Sequence, residues 1–140
     1  DTSITTSRDH QDAKGADAVI VVVGENPYAE AKGDRADLGL TAEDSASISE
    51  AKAAGIPVVV VVLSGRPLVL GSVAAEADSI LAAWLPGTEG QGVADVLFGD
   101  AKPTGKLSFA WPRSMDQLPL GNDRVKPGDS LYPLGFGLGY

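Results

Sequence analysis

The sequence predicts a three-layer α/β sandwich with a mostly parallel sheet, and two observations lead to that class. Residues 18–23 and 56–63 form apolar runs that consist almost entirely of Val, Ile, Leu and Ala, as in strands buried on both faces of a parallel sheet. Segments of helical composition lie between the apolar runs. Strands that alternate with helices favour right-handed βαβ units around one sheet.

The remaining elements follow in chain order. Thr41 stands three residues before Asp44, close to a capping box, so a helix is expected to begin after Thr41 and to run to about residue 54. Residues 113–140 are rich in Pro, Gly and Asp, which predicts an irregular C-terminal tail. The other predicted elements are helices at 9–15, 68–77 and 93–98, and strands at 79–84 and 106–110.

Composition bounds the function. The chain has 140 residues, of which 44% are hydrophobic, and we expect a single domain over residues 1–140. The net charge of −8 disfavours nucleic acid and anionic membranes as partners. The absence of cysteine excludes disulfide and thiol chemistry, and one histidine, His10, is too little for a metal site. No apolar run is long enough to span a membrane.

A long polar loop, residues 24–34, follows the first predicted strand and carries Glu25 and Glu30. Parallel α/β sheets place their chemistry in loops just beyond the carboxyl ends of the strands, and two carboxylates there are compatible with general acid catalysis. A second possibility is a non-catalytic ligand-binding or anion-binding module, because the glycine-rich turn at 87–92 opens a predicted helix. The residues alone leave both functions open.

Seven separate motifs in order resemble the second domain of glycoside hydrolase family 3, in the branch that is similar to the barley exo-β-glucanase and β-glucosidases. They are GENPYAEAKGDR (24–35), LSGRP (63–67), AWLPGTEGQG (83–92), LFGD (97–100), PTGKL (103–107), DQLP (116–119) and PLGFGLGY (133–140). The resemblance implies an exo-acting, retaining β-glycosidase. It also implies a β-glucoside or β-glucan substrate, no metal or organic cofactor, and a (β/α)8 barrel domain as the partner that carries an Asp nucleophile.

The same resemblance implies roles for individual residues. Glu30 corresponds to the acid/base of this branch, and Glu25 is the second candidate because other branches place the acid just after the strand. The alternative role for Glu25 is to anchor the loop by accepting hydrogen bonds from backbone N–H groups or from Arg35. The resemblance covers the second domain and not the barrel domain, so we expect these 140 residues to have no hydrolase activity alone.

Three further side chains are expected near the substrate or the partner domain. Arg35 and Trp84 are candidate substrate-binding residues, and Arg66 and Trp84 follow strands at the edge that would face the barrel. The alternative for Trp84 is packing in the core. Residues 1–8 lack the apolar region of a signal peptide, so a secreted or periplasmic location is an expectation from the family alone.

Overall fold

The computed structural model describes residues 3–7, 13, 15–120, 126 and 128–140. The predicted helix at 9–15, with His10, falls largely outside the described residues.

Three parallel strands form the sheet, as the apolar runs predict. They are β1 (Val19–Gly24), β2 (Val58–Leu63) and β3 (Ser79–Trp84), arranged in the order β1-β2-β3. Val21 of β1 pairs with Val60 of β2, which pairs in turn with Ile80 of β3. The pairing of β2 with β3 is regular up to Ala82, and an irregularity in β3 just before Trp84 then shifts the register.

Helices flank this sheet and complete an α/β sandwich, so the predicted fold class is confirmed. They are α1 (Ala42–Ala53), α2 (Val73–Glu76) and α3 (Gly90–Phe98). Thr41 caps α1 as expected, because its hydroxyl accepts the backbone N–H of Asp44 at 3.0 Å. Short 3-10 helices lie at Glu30–Gly33 and Met115–Gln117.

The core lies between one face of the sheet and α1. Its buried members are Val21, Val23, Val58, Val60 and Val62 from the strands, with Ile48, Ala51, Leu68, Leu70, Val73 and Trp111. The alternate residues of β1 point to the other face. There Ile20 and Val22 remain 42% and 58% exposed, so β1 is covered on one face only.

Two predicted elements are wrong in extent. The helix expected at 68–77 is reduced to α2, because Gly71 takes a positive φ of 57° and interrupts any helix before it. Upstream of that glycine, Val69 instead bridges to Gly39 in a parallel pair. The last predicted helix begins at Gly90 rather than at residue 93.

The fourth strand predicted at 106–110 is also wrong. These residues are irregular and pair with the C-terminal tail at isolated points. Leu107 donates its N–H to Phe136 and accepts from Gly135, each at 2.8 Å. A single antiparallel bridge joins Trp111 to Tyr132. Pro112 follows directly and has no N–H, so a ladder cannot extend through this point.

The tail is irregular, as predicted, yet it is bound firmly to the core. Trp111 is 2% exposed, and its indole Nε1–H donates to the carbonyl of Leu68 at 2.6 Å. The rings of Tyr132 and Phe136 stack with centroids 4.8 Å apart. Trp111 lies just before the tail, and the tail packs against the core through Leu131 and Tyr132, with its course fixed by ring packing and backbone hydrogen bonds.

Candidate active site

The carboxyl ends of the three strands lie side by side at one edge of the sheet. Gly24 pairs with Leu63, and Leu63 pairs with Trp84. The backbone N–H of Glu25 donates to the Leu63 carbonyl at 3.1 Å. A Cβ at position 24 would lie 1.9 Å from that same oxygen. The two strand ends approach so closely that only glycine fits, and this approach brings the loop after β1 against the turn after β2.

Glu25 is the buried carboxylate of this edge, with its side chain 4% exposed. The guanidinium of Arg66, which follows β2, donates from Nη2 to Oε1 at 2.7 Å and from Nε to Oε1 at 3.2 Å and Oε2 at 3.3 Å. The Tyr28 hydroxyl donates to Oε2 at 3.3 Å. Both carboxylate oxygens of Glu25 are therefore occupied by hydrogen bonds within the domain.

Arg66 also reaches the loop itself. Its Nη2 donates to the carbonyl of Gly33 at 2.6 Å, and its guanidinium carbon lies 5.0 Å from the centroid of the Tyr28 ring, within cation–π range. The hydrogen bond with Glu25 is the main cause that raises the pKa of Arg66 above its ordinary value, with burial opposing it. Arg66 is thus a permanent cation that joins the ends of β1 and β2 to the loop.

Arg35 lies just after the same loop and holds the segment that follows it. Its Nε donates to the carbonyl of Asp37 at 2.9 Å, and its Nη2 donates to the carbonyl of Gly39 at 3.0 Å. Its Nη1 lies 3.8 Å from Glu25 Oε1, the longer of the two ion pairs that Glu25 forms among the described residues. The two hydrogen bonds of Arg35 therefore go to backbone carbonyls, while Arg66 holds the Glu25 carboxylate.

Glu30 has the opposite surroundings. It is exposed and begins the 3-10 helix Glu30–Gly33. Its φ is +48°, in the left-handed region that non-glycine residues rarely adopt. Within the described part of the chain, its carboxylate takes part in no ion pair or side-chain hydrogen bond. The side chain is therefore directed to solvent, where a substrate or a partner domain could reach it.

Trp84 lies at the same edge, at the end of β3. It also has a positive φ, +54°, at the point where the register of β3 with β2 shifts. Its ring centroid lies 5.8 Å from that of Trp111, and it packs against the core cluster while remaining partly exposed. The ring therefore contributes to the core on one side and leaves surface at the edge on the other.

The glycine-rich turn at 87–92 offers little to an anion. Glu89 occupies the N-cap position of α3, and no side chain caps the helix there. The Thr88 hydroxyl instead donates to the Glu89 carboxylate at 3.1 Å. A carboxylate at the helix N-terminus repels a second anion there. This geometry disfavours the anion-binding alternative.

Sequence reasoning missed the partnership of Arg66 with Glu25 and Gly33. The sequence places Arg66 at the edge that would face the partner domain, and it offers Arg35 as a cation beside Glu25 only as an alternative. The signal that could have found the pair is positional. Arg66 and Glu25 each follow a neighbouring parallel strand within three residues, and such strand ends meet at one edge of a sheet.

The described residues offer neither a metal site nor a membrane-spanning helix. They contain no group of three or more His, Cys, Asp or Glu side chains placed to hold a metal ion. None of their helices has both the length and the apolar content needed to cross a bilayer.

The fold and this edge define a class, that of parallel α/β sandwich domains which present an acidic loop beyond the first strand. The chain belongs to the glycosyl hydrolase family 3 C-terminal domain family, whose sequence model matches residues 3–140. Its relatives are β-glucosidases and β-xylosidases. The resemblance in the loop and strand-end motifs is therefore confirmed at the level of the family.

Named relatives and solved structures support that membership. The periplasmic β-glucosidase of Salmonella typhimurium is 38% identical over 93% of this chain and 20% of its own length. The exo-1,3/1,4-β-glucanase of a Pseudoalteromonas species has a TM-score of 0.79 and 45% identity, over 88% of this chain and 16% of its own. The β-glucosidase of Listeria innocua in complex with isofagomine has a TM-score of 0.83 and 28% identity, over 91% of this chain and 21% of its own. The chain spans about one fifth of the length of these proteins.

Proposed function

We propose that this chain is the acid/base-bearing domain of a retaining, exo-acting β-glycosidase of the β-glucosidase or exo-β-glucanase type. In this proposal Glu30 is the acid/base, and a (β/α)8 barrel domain of the same enzyme supplies the Asp nucleophile. The substrate is a terminal β-linked glucosyl residue of a β-glucoside or β-glucan. The likeness to an exo-1,3/1,4-β-glucanase at 45% identity favours a glucosyl over a xylosyl substrate.

The observation that carries the proposal is the difference between the two loop carboxylates. A general acid must place a protonated oxygen against the leaving-group oxygen of the substrate. Both oxygens of Glu25 already accept hydrogen bonds from Arg66 or Tyr28, whereas Glu30 is exposed on a left-handed backbone. A non-glycine residue in that conformation costs on the order of 1 kcal/mol, and such outliers gather at functional sites.

The chemistry needs two carboxyl groups about 5–5.5 Å apart. In the first step Glu30 donates its proton to the glycosidic oxygen, while the nucleophilic carboxylate of the barrel attacks the anomeric carbon and forms a covalent glycosyl-enzyme. In the second step the Glu30 carboxylate accepts a proton from water, and that water releases the sugar with retained configuration. Glu25 takes no proton in this scheme and serves to anchor the loop.

The test uses the enzyme that contains this domain, with Glu30→Gln and Glu25→Gln compared on two aryl β-glucosides. Glu30→Gln is expected to lower kcat/KM by about 10²–10⁴-fold on the substrate with the poor leaving group and little on the other. Because the variant also lacks the base for the second step, kcat on the activated substrate should fall even though kcat/KM does not. Azide, which needs no base to attack the glycosyl-enzyme, should restore that kcat and give a β-glucosyl azide. Glu50→Gln on α1, an exposed residue with the same chemical change, serves as the control.

Glu25→Gln should affect both substrates alike, because it removes an anchor and not a proton donor. If Glu25→Gln shows the leaving-group dependence and azide rescue instead, the two residues exchange roles. If neither variant does, this domain does not carry the acid.

The isolated 140-residue chain is expected to show no turnover of an aryl β-glucoside, because it lacks the nucleophile in this proposal. Turnover by the purified chain would contradict the division of labour between two domains. The periplasmic location in the name of the Salmonella relative supports a secreted or periplasmic enzyme. Fractionation of cells that express the full enzyme would test that location.

A further inference from the structure

Arg66 joins three separate parts of the candidate active site through one planar group. Its guanidinium donates to Glu25 at the end of β1 and, through the same Nη2, to the carbonyl of Gly33 at 2.6 Å. Gly33 ends the 3-10 helix that Glu30 begins. Arg66, in the turn after β2, therefore bonds directly to the short helix that carries Glu30.

The conformation of Arg66 is itself fixed from two sides. The hydroxyl of Ser64, which is 2% exposed, donates to the Arg66 carbonyl at 2.7 Å. The Tyr28 ring packs against the guanidinium at 5.0 Å, and Tyr28 is in turn held to Glu25 by its hydroxyl. An arginine locked in this way can hold the loop in one position, as a flexible surface arginine could not.

The 3-10 helix needs such a support, because it has little packing of its own. It is four residues long, and Gly33 is its only buried residue. Its N-cap, Ala29, makes no capping hydrogen bond with its side chain. Among the described residues, the end of this helix is held by the Asp34 N–H to Ala31 carbonyl bond at 3.1 Å and by the bond from Arg66 to Gly33.

We propose that Arg66 is a positioning residue for the general acid, which it aligns through its bond to Gly33 and its ion pair with Glu25. The inference rests on the proposed function, in which Glu30 is that acid. Without Arg66 the end of the 3-10 helix is released, and the Glu30 carboxylate moves relative to the glycosidic oxygen. A displacement of about 1 Å at a reacting group costs on the order of 10²-fold in rate.

The experiment compares Arg66→Lys, Arg66→Ala, Glu30→Gln and the double variant Arg66→Lys with Glu30→Gln in the full enzyme. Arg66→Lys keeps the positive charge beside Glu25 and protects folding, but it loses the planar fork and the stacking on Tyr28. The control is Lys52→Ala. It removes the 2.7 Å ion pair with Asp78 beside the amino end of β2, far from the loop.

Each variant is assayed for kcat/KM on the poor and the good leaving group, with a thermal unfolding midpoint measured beside it. Arg66→Lys should lower kcat/KM on the poor leaving group by about 10-fold or more and Arg66→Ala by about 10²-fold. The value of kcat/KM on the substrate with the good leaving group should be almost unchanged. In the double variant, Arg66→Lys should add almost nothing to the loss caused by Glu30→Gln, and Lys52→Ala should alter neither substrate.

Three results would overturn the inference while the proposed function stands, provided that Glu30→Gln alone keeps its leaving-group dependence. These are equal losses on both substrates, no loss on either substrate, and a full additional loss in the double variant. If Glu30→Gln alone shows no leaving-group dependence, the proposed function fails, and the inference fails with it.

Discussion

Gly24→Ala is the substitution that tests the close approach of β1 and β2 most directly. The new Cβ would lie 1.9 Å from the Leu63 carbonyl oxygen, which is a backbone atom and cannot rotate away. To restore an ordinary C···O contact of about 3.3 Å from 1.9 Å, the two strand ends must separate by roughly 1.4 Å. That movement breaks the 3.1 Å hydrogen bond from the Glu25 N–H to the same oxygen.

The expected cost has two parts. Overpacking of an ordered interior costs about 1–3 kcal/mol, and an unsatisfied buried backbone group costs about 1–3 kcal/mol more. We therefore expect Gly24→Ala to lower the free energy of unfolding of this domain by about 2–6 kcal/mol. The thermal midpoint of its transition should fall by about 5 °C or more. Differential scanning calorimetry of the enzyme that contains the domain would measure that shift.

Gly92→Ala is the matched control for this prediction. Its Cβ would meet nothing within 4 Å, and Gly92 lies inside α3, where alanine is favoured by about 0.5–1 kcal/mol. This variant should therefore be neutral or slightly stabilised. If Gly24→Ala matches Gly92→Ala in its midpoint, the strand ends are not held together as described, and the argument that they bring the loop to Arg66 is refuted.

Three further predictions concern the supports of the fold. Trp111→Phe removes the indole donor to the buried Leu68 carbonyl and should cost about 1–3 kcal/mol for the lost bond alone; an unchanged denaturation midpoint would contradict it. Thr41→Ala should cost about 1 kcal/mol at the start of α1, whereas Thr41→Ser, which keeps the capping oxygen, should cost less in the same measurement. The hydrogen bond from Lys52 lowers the pKa of Asp78, so the stabilisation by Asp78 is complete above its unfolded pKa, near pH 4, and is lost as the pH falls through the folded value. The difference in thermal midpoint between Asp78→Asn and the parent should therefore be largest near neutral pH and shrink below about pH 4; a constant difference would refute the pairing.

Strands β1 and β2 could be predicted because their apolar runs are rich in β-branched residues, whereas β3 is apolar but has Ile80 as its one β-branched residue. Such runs mark buried parallel strands with little ambiguity. The segment at 106–110, Lys-Leu-Ser-Phe-Ala, alternates polar and apolar residues but has no β-branched residue, and its pairing depends on the tail about 25 residues further on. A local pattern does not state whether a distant partner supplies a full ladder or a single bridge, and here it supplies a bridge.

The location of the candidate site could be predicted from the sequence, but the contacts between its side chains could not. Glu25 and Glu30 stand on one loop after a buried strand, which is sufficient to predict an acidic edge. Which of the two carboxylates is held within the domain depends on Arg66, 41 residues beyond Glu25. That contact is created by the parallel pairing of β1 and β2, so it appears only after the sheet is assembled. The motif resemblance favours Glu30 as the acid/base from an independent direction.

The exposed face of β1 has a practical consequence. The strand reads Val-Ile-Val-Val-Val-Gly, with no charge and no proline, and it is an edge strand of the described sheet. Among the described residues no strand pairs with the outer edge of β1, and Ile20 and Val22 add an apolar surface beside that edge. Such an edge is a template for the addition of another strand. A concentrated solution of this domain should therefore self-associate, and Val22→Lys is the single change expected to keep it monomeric without touching the core.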